Sequence, residues 1–305
     1  MDLNGDGEDD VLTGSYWPGD VYVFHGLGGC KFAEGEILKD ASGKNVNGGQ
    51  PWKSERDPDM DSLAAAPHLA DLDDDGDFDL LIGNIAGNVM LIENEGTATE
   101  PSFSIEKKRL QAGGQDLHVD RDAGPVAADW NDDGLLDLIV GAGDGAVWLF
   151  ENKGSPAEPS FAKGVTLVEQ PPMDFSNLPV EGTPPESPGT RAKVCVTDYN
   201  DDGLLDLLVG DYCSQMTPEP ELSEGKKVRR DQLREARDQL NEEFSRLYEK
   251  GEEKTAEMAA LSEKRTKIYE ELRLLESQRV AHGFVWYMQR KEGAGRKTGV
   301  GTQQF

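Results

Sequence analysis

The sequence predicts an all-β propeller of about four blades, complete in itself or part of a larger ring, with an inserted α-helical antiparallel hairpin. Three observations carry this. A nine-residue aspartate loop occurs four times, as DLNGDGEDD from Asp2, DLDDDGDFD from Asp71, DWNDDGLLD from Asp129 and DYNDDGLLD from Asp198. Each loop runs into a short apolar segment that ends in Gly14, Gly83, Gly141 or Gly210. One Glu/Lys/Arg/Leu-rich segment, residues 219–280, breaks the repeat pattern.

The loop starts lie 69, 58 and 69 residues apart. After each glycine comes a short turn and a second apolar segment beginning at Val21, Val89, Val147 or Val285. Repeats two and three agree further: NEGTATEPSFS from Asn94 parallels NKGSPAEPSFA from Asn152, and AAAPHLAD parallels DAGPVAAD upstream of the loops. Each unit therefore reads as four short strands with Gly and Asn turns, one antiparallel sheet. The units start near residues 2, 64, 122 and 191. A sheet this small cannot bury both faces alone, so neighbours must stack. Radial stacking of four-stranded sheets is a propeller, and a linear β-solenoid is the alternative.

The aspartates have a chemistry of their own. Loop positions 1, 3, 5 and 9 are Asp2, Asn4, Asp6 and Asp10 in the first copy, and Asp71, Asp73, Asp75 and Asp79 in the second. They are Asp129, Asn131, Asp133 and Asp137 in the third, and Asp198, Asn200, Asp202 and Asp206 in the fourth. Position 6 is always glycine, which permits a sharp turn. Alternating oxygens on a tight loop suit Ca²⁺, a hard cation taking about 6–8 oxygen ligands. The carbonyl of position 7 (Glu8, Asp77, Leu135 or Leu204) adds a ligand. Without a cation these carboxylates repel one another. Mg²⁺ prefers a stricter octahedron, and transition metals favour His or Cys, which the loops lack. An EF-hand needs a Glu at position 12 and flanking helices. Position 12 here is Thr13, Ile82, Val140 or Val209, inside a strand. Up to four calcium ions are expected.

The pattern D-x-[DN]-x-D-G-x-x-D-[LV]-[LI]-x-G, followed by G-x-V-x-L-[IF]-E-N, resembles the FG-GAP/VCBS-type repeat of integrin α-subunit propellers and bacterial exported proteins. The resemblance spans everything but the helical segment. It implies ion-braced hairpin loops and an extracellular, periplasmic or cell-surface location. It also implies a role in adhesion, or as an accessory domain of a secreted polysaccharide-degrading enzyme. The first repeat lacks a leading strand, so its site is expected to be incomplete.

Charge fits this reading. The net charge is −28. Residues 1–218 hold 13 Lys and Arg against 42 Asp and Glu, residues 219–280 hold 14 against 16, and residues 281–305 hold 4 against 1. The excess sits with the repeats. Such acidity argues against nucleic acid, which needs clustered Lys and Arg. No apolar run is long enough for a membrane span. No signal peptide precedes Asp2, and the chain starts inside its first motif, which suggests a truncated start. Cys30, Cys195 and Cys213 form no disulfide or metal-ligand pattern and are expected as small buried hydrophobes.

In the other repeats 18 or 19 residues separate the first loop Asp from the second-strand Val; in the fourth the gap is 87. The extra residues put apolar side chains at Leu233, Ala236, Leu240, Phe244 and Leu247, then Leu261, Ile268, Leu272 and Leu275. That spacing predicts coiled-coil-like helices over 222–249 and 253–280, turning at Gly251. Two readings stay open: helices that bury their seams on each other, or an arm for self-assembly or another protein that uses Tyr248, Met258 and Tyr269. The scattered histidines and the absence of nucleophile or phosphate-loop motifs argue against an enzyme. Glu93 and Glu151 recur at one strand end, as structural residues do. Tyr22, Trp148, Trp286 and Tyr287 are expected to pack between sheets, a sugar-stacking platform being the alternative. The expected partner is a protein or carbohydrate.

Overall fold

The computed structural model describes residues 1–49, 63–170, 172, 178–249 and 256–291, with the backbone of Thr302–Gln304. The chain divides into two compact units: Met1–Met173 with Glu186–Cys213 and Gly283–Phe305, and Asp174–Pro185 with Ser214–His282.

The first unit is built of antiparallel sheets. Sheet one joins β1 (Val11–Gly14), β2 (Val21–Phe24) and β3 (Glu36–Ile37). Sheet two joins β4 (Ala66–Ala70), β5 (Asp79–Gly83), β6 (Val89–Ile92) and β7 (Lys108–Arg109). A ribbon of β8 (Gln111–Ala112) and β9 (Gln115–Asp116) follows. Sheet three joins β10 (Gly124–Ala128), β11 (Asp137–Gly141), β12 (Val147–Phe150) and β13 (Val165–Val168). Sheet four contains β14 (Thr190–Thr197), β15 (Asp206–Met216), β17 (Val285–Met288) and β18 (Thr302–Gln304). No closed ring of sheets is formed among the described residues.

Alternation along each central strand drives the stacking, because successive side chains point to opposite faces. Leu80 and Ile82 of β5 join Val21, Val23 and Leu69 in a core between sheets one and two. Leu81, between them, faces the other way and joins Leu138, Val140 and Phe150 in the core between sheets two and three. Ile139 of β11 repeats the switch, packing with Leu207, Val209 and Trp286 between sheets three and four. Leu80, Leu81, Ile82, Leu138, Ile139 and Val140 are all fully buried. This explains why the central strands read as unbroken apolar runs: both faces are covered.

The strand-end glycines have a shared cause. A Cβ on Gly14, Gly83 or Gly141 would lie 1.9, 2.2 or 2.3 Å from the carbonyl oxygen of Ala65, Ala123 or Ala192 in the next sheet. Those alanines also donate their N–H across the joint, to the carbonyls of Ser15 (3.2 Å), Asn84 (2.9 Å) and Ala142 (2.9 Å). The residue before each alanine, Ala64, Asp122 or Arg191, is left-handed at φ 53°, 46° or 57°. Gly210 differs: its nearest neighbour is its own sheet's Lys193 carbonyl at 3.7 Å.

In the second unit, α1 (Glu224–Glu249) and α2 (Ala256–Leu272) pair along the expected seam. Leu233, Leu272 and Leu275 form one cluster with Ile268. Leu247, Met258 and Leu261 form another with Leu240 and Phe244. Arg229 forks onto Glu271 at 2.7 and 2.8 Å. The second helix is shorter than expected. It stops at Leu272 because the backbone downstream is claimed elsewhere: Thr217 N–H donates to the Gln278 carbonyl (2.8 Å) and Gln278 N–H to Thr217 Oγ1 (2.8 Å). Arg279–His282 then forms β16. Gly251 lies outside the described residues.

Two further expectations are corrected. No cysteine is buried: Cys30 and Cys195 are exposed and Cys213 is partly so. Cys30 sits in a left-handed turn after Gly28 and Gly29, and Cys195 lies exposed in β14 of sheet four. Met258, expected as a contact of the arm, is only 6% exposed and fills the helix seam. Tyr248 and Tyr269 remain exposed.

Candidate metal centres

All four loops share one backbone conformation, held by one set of hydrogen bonds. The position-1 carboxylate takes the N–H of position 5 on Oδ1: Asp6 to Asp2 (3.2 Å), Asp75 to Asp71 (3.1 Å), Asp133 to Asp129 (3.0 Å) and Asp202 to Asp198 (3.1 Å). Its Oδ2 takes the N–H of the position-6 glycine: Gly7 (2.8 Å), Gly76 (3.1 Å), Gly134 (2.8 Å) and Gly203 (2.8 Å). The position-5 carboxylate accepts the N–H of position 7: Glu8, Asp77, Leu135 and Leu204.

Two left-handed residues curl each loop. Position 6 has φ 91°, 96°, 84° and 86° at Gly7, Gly76, Gly134 and Gly203. Position 4 is left-handed too, with φ 73°, 59°, 61° and 58° at Gly5, Asp74, Asp132 and Asp201. Glycine and aspartate are residues that tolerate this region, which accounts for the D-D-G and N-G-D-G spellings.

Position 9 ties the loop to the sheet. Its Oδ1 accepts the N–H just beyond the second strand: Gly26 to Asp10 (2.8 Å), Asn94 to Asp79 (2.9 Å), Asn152 to Asp137 (2.7 Å) and Arg290 to Asp206 (2.8 Å). These aspartates are buried to 6, 4, 0 and 0% exposure. Sequence reading missed the role of Asn94 and Asn152. Their Oδ1 atoms gather the N–H groups of Gly96 and Ser102, or of Gly154 and Ser160, at 2.8–3.0 Å. The 58-residue parallel of NEG with NKG was the signal.

The loops differ in how far the protein satisfies their oxygens. In the second, one oxygen from each of Asp71, Asp73 and Asp75 lies within 4.8 Å of the others. Burial, with Asp75 adding repulsion, raises Asp73 and Asp77 above the usual carboxylate range. Burial pushes Asp79 up to about 6, and Asp137 likewise to about 6, with Asp133 repelling the latter. In the third loop Asn131 Oδ1 and Asp137 Oδ2 are buried without a hydrogen-bond partner, as is Asp77 Oδ1 in the second. The fourth loop is served by protein donors. Tyr287 donates its hydroxyl to Asp206 Oδ2 (3.0 Å), Asn200 Nδ2 donates to the Tyr287 oxygen (2.8 Å) and Gln289 donates to Asp202 Oδ2 (3.2 Å). In the first, Leu3 N–H donates to Asp10 Oδ2 (2.9 Å), His25 Nδ1 lies 3.2 Å from that oxygen, and Asn4 Nδ2 donates to Asp6 Oδ2 (3.0 Å).

Other candidates are absorbed by structure. Glu93 pairs with Lys108 at 2.6 Å and Glu151 with Lys153 at 3.1 Å. Trp286 and Tyr287 are buried, while Tyr22 and Trp148 are half-buried. Among the described residues no helix is long and apolar enough to cross a membrane.

No curated protein matches the chain. Residues 71–140 and 129–209 each match the FG-GAP-like repeat, the first span running from one aspartate loop through the next and the second from that loop through the last. The chain therefore carries two FG-GAP-like repeats.

Proposed function

We propose that this protein is a calcium-stabilised, propeller-type repeat module that acts without catalysis, binding a protein or carbohydrate ligand outside the cytoplasm. The observation that carries the calcium reading is the set of buried, unpartnered oxygens in the middle loops: Asp77 Oδ1, Asn131 Oδ1 and Asp137 Oδ2. A buried polar atom without a partner costs about 1–3 kcal/mol, and an oxygen-seeking cation removes that cost. The donor set is oxygen throughout, as a hard cation requires. Asp71, Asp73, Asp75, Asp77 and Asp79 would hold one ion, and Asp129, Asn131, Asp133, Leu135 (by its carbonyl) and Asp137 another. The first and fourth loops have the same ligand types, but protein donors already occupy several of their oxygens, so their affinity is expected to be lower.

The ion's role is structural: it neutralises the loop carboxylates and locks the strand ends that position 9 holds. Recognition is left to the exposed connections between strands. Affinity in the range of extracellular modules, about 10⁻⁴–10⁻³ M, is expected.

Thermal unfolding with 10 mM Ca²⁺ and with excess chelator tests the reading. At about 100 times Kd one site adds about 2.7 kcal/mol, or roughly 5–10 °C at about 2–4 °C per kcal/mol. An equal Tm in the two buffers would refute calcium as the loops' ligand. Titration calorimetry on Asp129→Ala, which leaves the second loop intact, then separates the two middle sites.

A further inference from the structure

Each sheet presents one face to its predecessor and another to its successor, and the same positions do this every time. The successor-facing positions are loop position 2, the second residue of the central strand after the loop Asp, and the strand-end glycine. At position 2, Leu3, Leu72 and Trp130 are only 3, 3 and 6% exposed, each in the core shared with the next sheet. The fourth member of the series, Tyr199, is 48% exposed. In the central strand Leu81 and Ile139 are fully buried, whereas Leu208 is half-exposed. Cys195, paired with Leu208 in the ladder, is exposed, and so is Val285, paired with Gly210.

The complementary vacancy lies at the other end. The predecessor-facing positions Leu80 and Ile82, Leu138 and Val140, and Leu207 and Val209 are buried against the sheet before them. Their counterparts in sheet one, Val11 and Thr13, are exposed, with Tyr22 and Phe24 half-buried beside them in the ladder. One end of the stack thus offers a successor-facing surface and the other a predecessor-facing one.

We propose that the outer face of sheet four docks the outer face of sheet one of a second copy of this chain. The contact continues an interface that the chain already makes three times within itself, with the same residue classes in the same strand positions. It is heterologous, so copies associate head to tail and the association closes into a ring or extends. Leu208, Tyr199, Cys195 and Val285 meet Val11, Thr13, Tyr22 and Phe24. Gly210 stays outside the close contact. The carbonyl that crowds the other three glycines comes from a leading strand, and sheet one has β1 at its edge.

The test is molar mass by light scattering, in calcium-containing buffer, for the wild type, Leu208→Glu, Thr13→Glu and an equimolar mixture of the two variants. The wild type is expected at twice the 33.3 kDa chain mass or above, and each variant alone at the chain mass. The mixture is expected to regain a dimer, because one intact face of each kind remains. Maleimide labelling of Cys195 should be slow in the wild type and fast in both variants. Circular dichroism melts identify any variant that fails to fold; Leu208→Ser and Thr13→Lys then replace it. A wild type at the single-chain mass overturns the proposal. So does association that survives both substitutions, which would move the contact elsewhere, such as to the helix pair.

Discussion

Replacing Gly141 by alanine adds one methyl at a joint between sheets, and the structure sets its cost. The new Cβ would stand 2.3 Å from the Ala192 carbonyl oxygen and 2.8 Å from its carbon. Contacts between heavy atoms are comfortable at about 3.5–4.0 Å, so the sheets must part locally by roughly 1 Å. Ala192 cannot swing aside, being 1% exposed. Its N–H is bonded to Ala142 O at 2.9 Å, and that of Arg191 to Gly143 O at 3.0 Å. Overpacking costs about 1–3 kcal/mol, and each strained hydrogen bond adds about 0.5–1.5 kcal/mol. The sum, roughly 2–6 kcal/mol, lowers Tm by about 4–24 °C at about 2–4 °C per kcal/mol. Gly210→Ala is the control. Its nearest atom is 3.7 Å away, and the more restricted unfolded chain makes it neutral or stabilising by up to about 1 kcal/mol. Urea unfolding followed by tryptophan fluorescence reads both variants. Equal midpoints for Gly141→Ala and Gly210→Ala would refute the assignment of these glycines to close sheet approach.

Three other outcomes are expected. With chelator present, stability should fall as pH rises from about 4 to about 6. Asp79 and Asp137 have folded pKa values of about 6 against 3.8 unfolded, so the folded chain holds protons that the unfolded chain has released. Asp137→Asn should flatten part of that slope, and calcium should abolish it; melts across this pH range decide. Asn152→Ala strands the N–H groups of Gly154 and Ser160 and should cost about 1–3 kcal/mol in denaturant titration. Ala64→Gly removes the strain of φ 53°, worth about 1–2 kcal/mol, less the roughly 0.5–1 kcal/mol that glycine loses in chain entropy. A small rise in Tm is the expected reading.

Much of this fold is legible because its repeats compare themselves. The aspartate loops, the apolar runs after them and the glycines that end the runs are local patterns, and four copies show which positions matter. Partnership across sheets is not written locally. Gly141 is readable as a strand end, but nothing nearby in sequence says that Ala192 presses on it. Cys195 illustrates the same limit from the other side. The counterparts of Cys195 in the ladders, His68 and Val126, are half-buried beside Leu81 and Ile139, yet no described residue covers sheet four at Cys195. The end of α2 also escaped, because helix-forming residues run on past Leu272 while Thr217, far back in the chain, captures the backbone of Gln278. In the candidate metal loops the recurring oxygen-bearing positions were visible. The left-handed backbone at position 4 and the gathering role of Asn94 and Asn152 required coordinates.

The two-faced sheets also set how the first unit comes apart. Among the described residues, sheets two and three each lean on a neighbour on both sides, while one and four lean on a single neighbour. Stability in such an array is close to a sum over adjacent joints, so amide protons of β5 and β11 should exchange last and those of β1 and β14 first. Damage follows the same logic. A lesion in an end sheet shortens the cooperative stack by one member, whereas a lesion in sheet two or three divides it into pieces that have each lost a supporting wall.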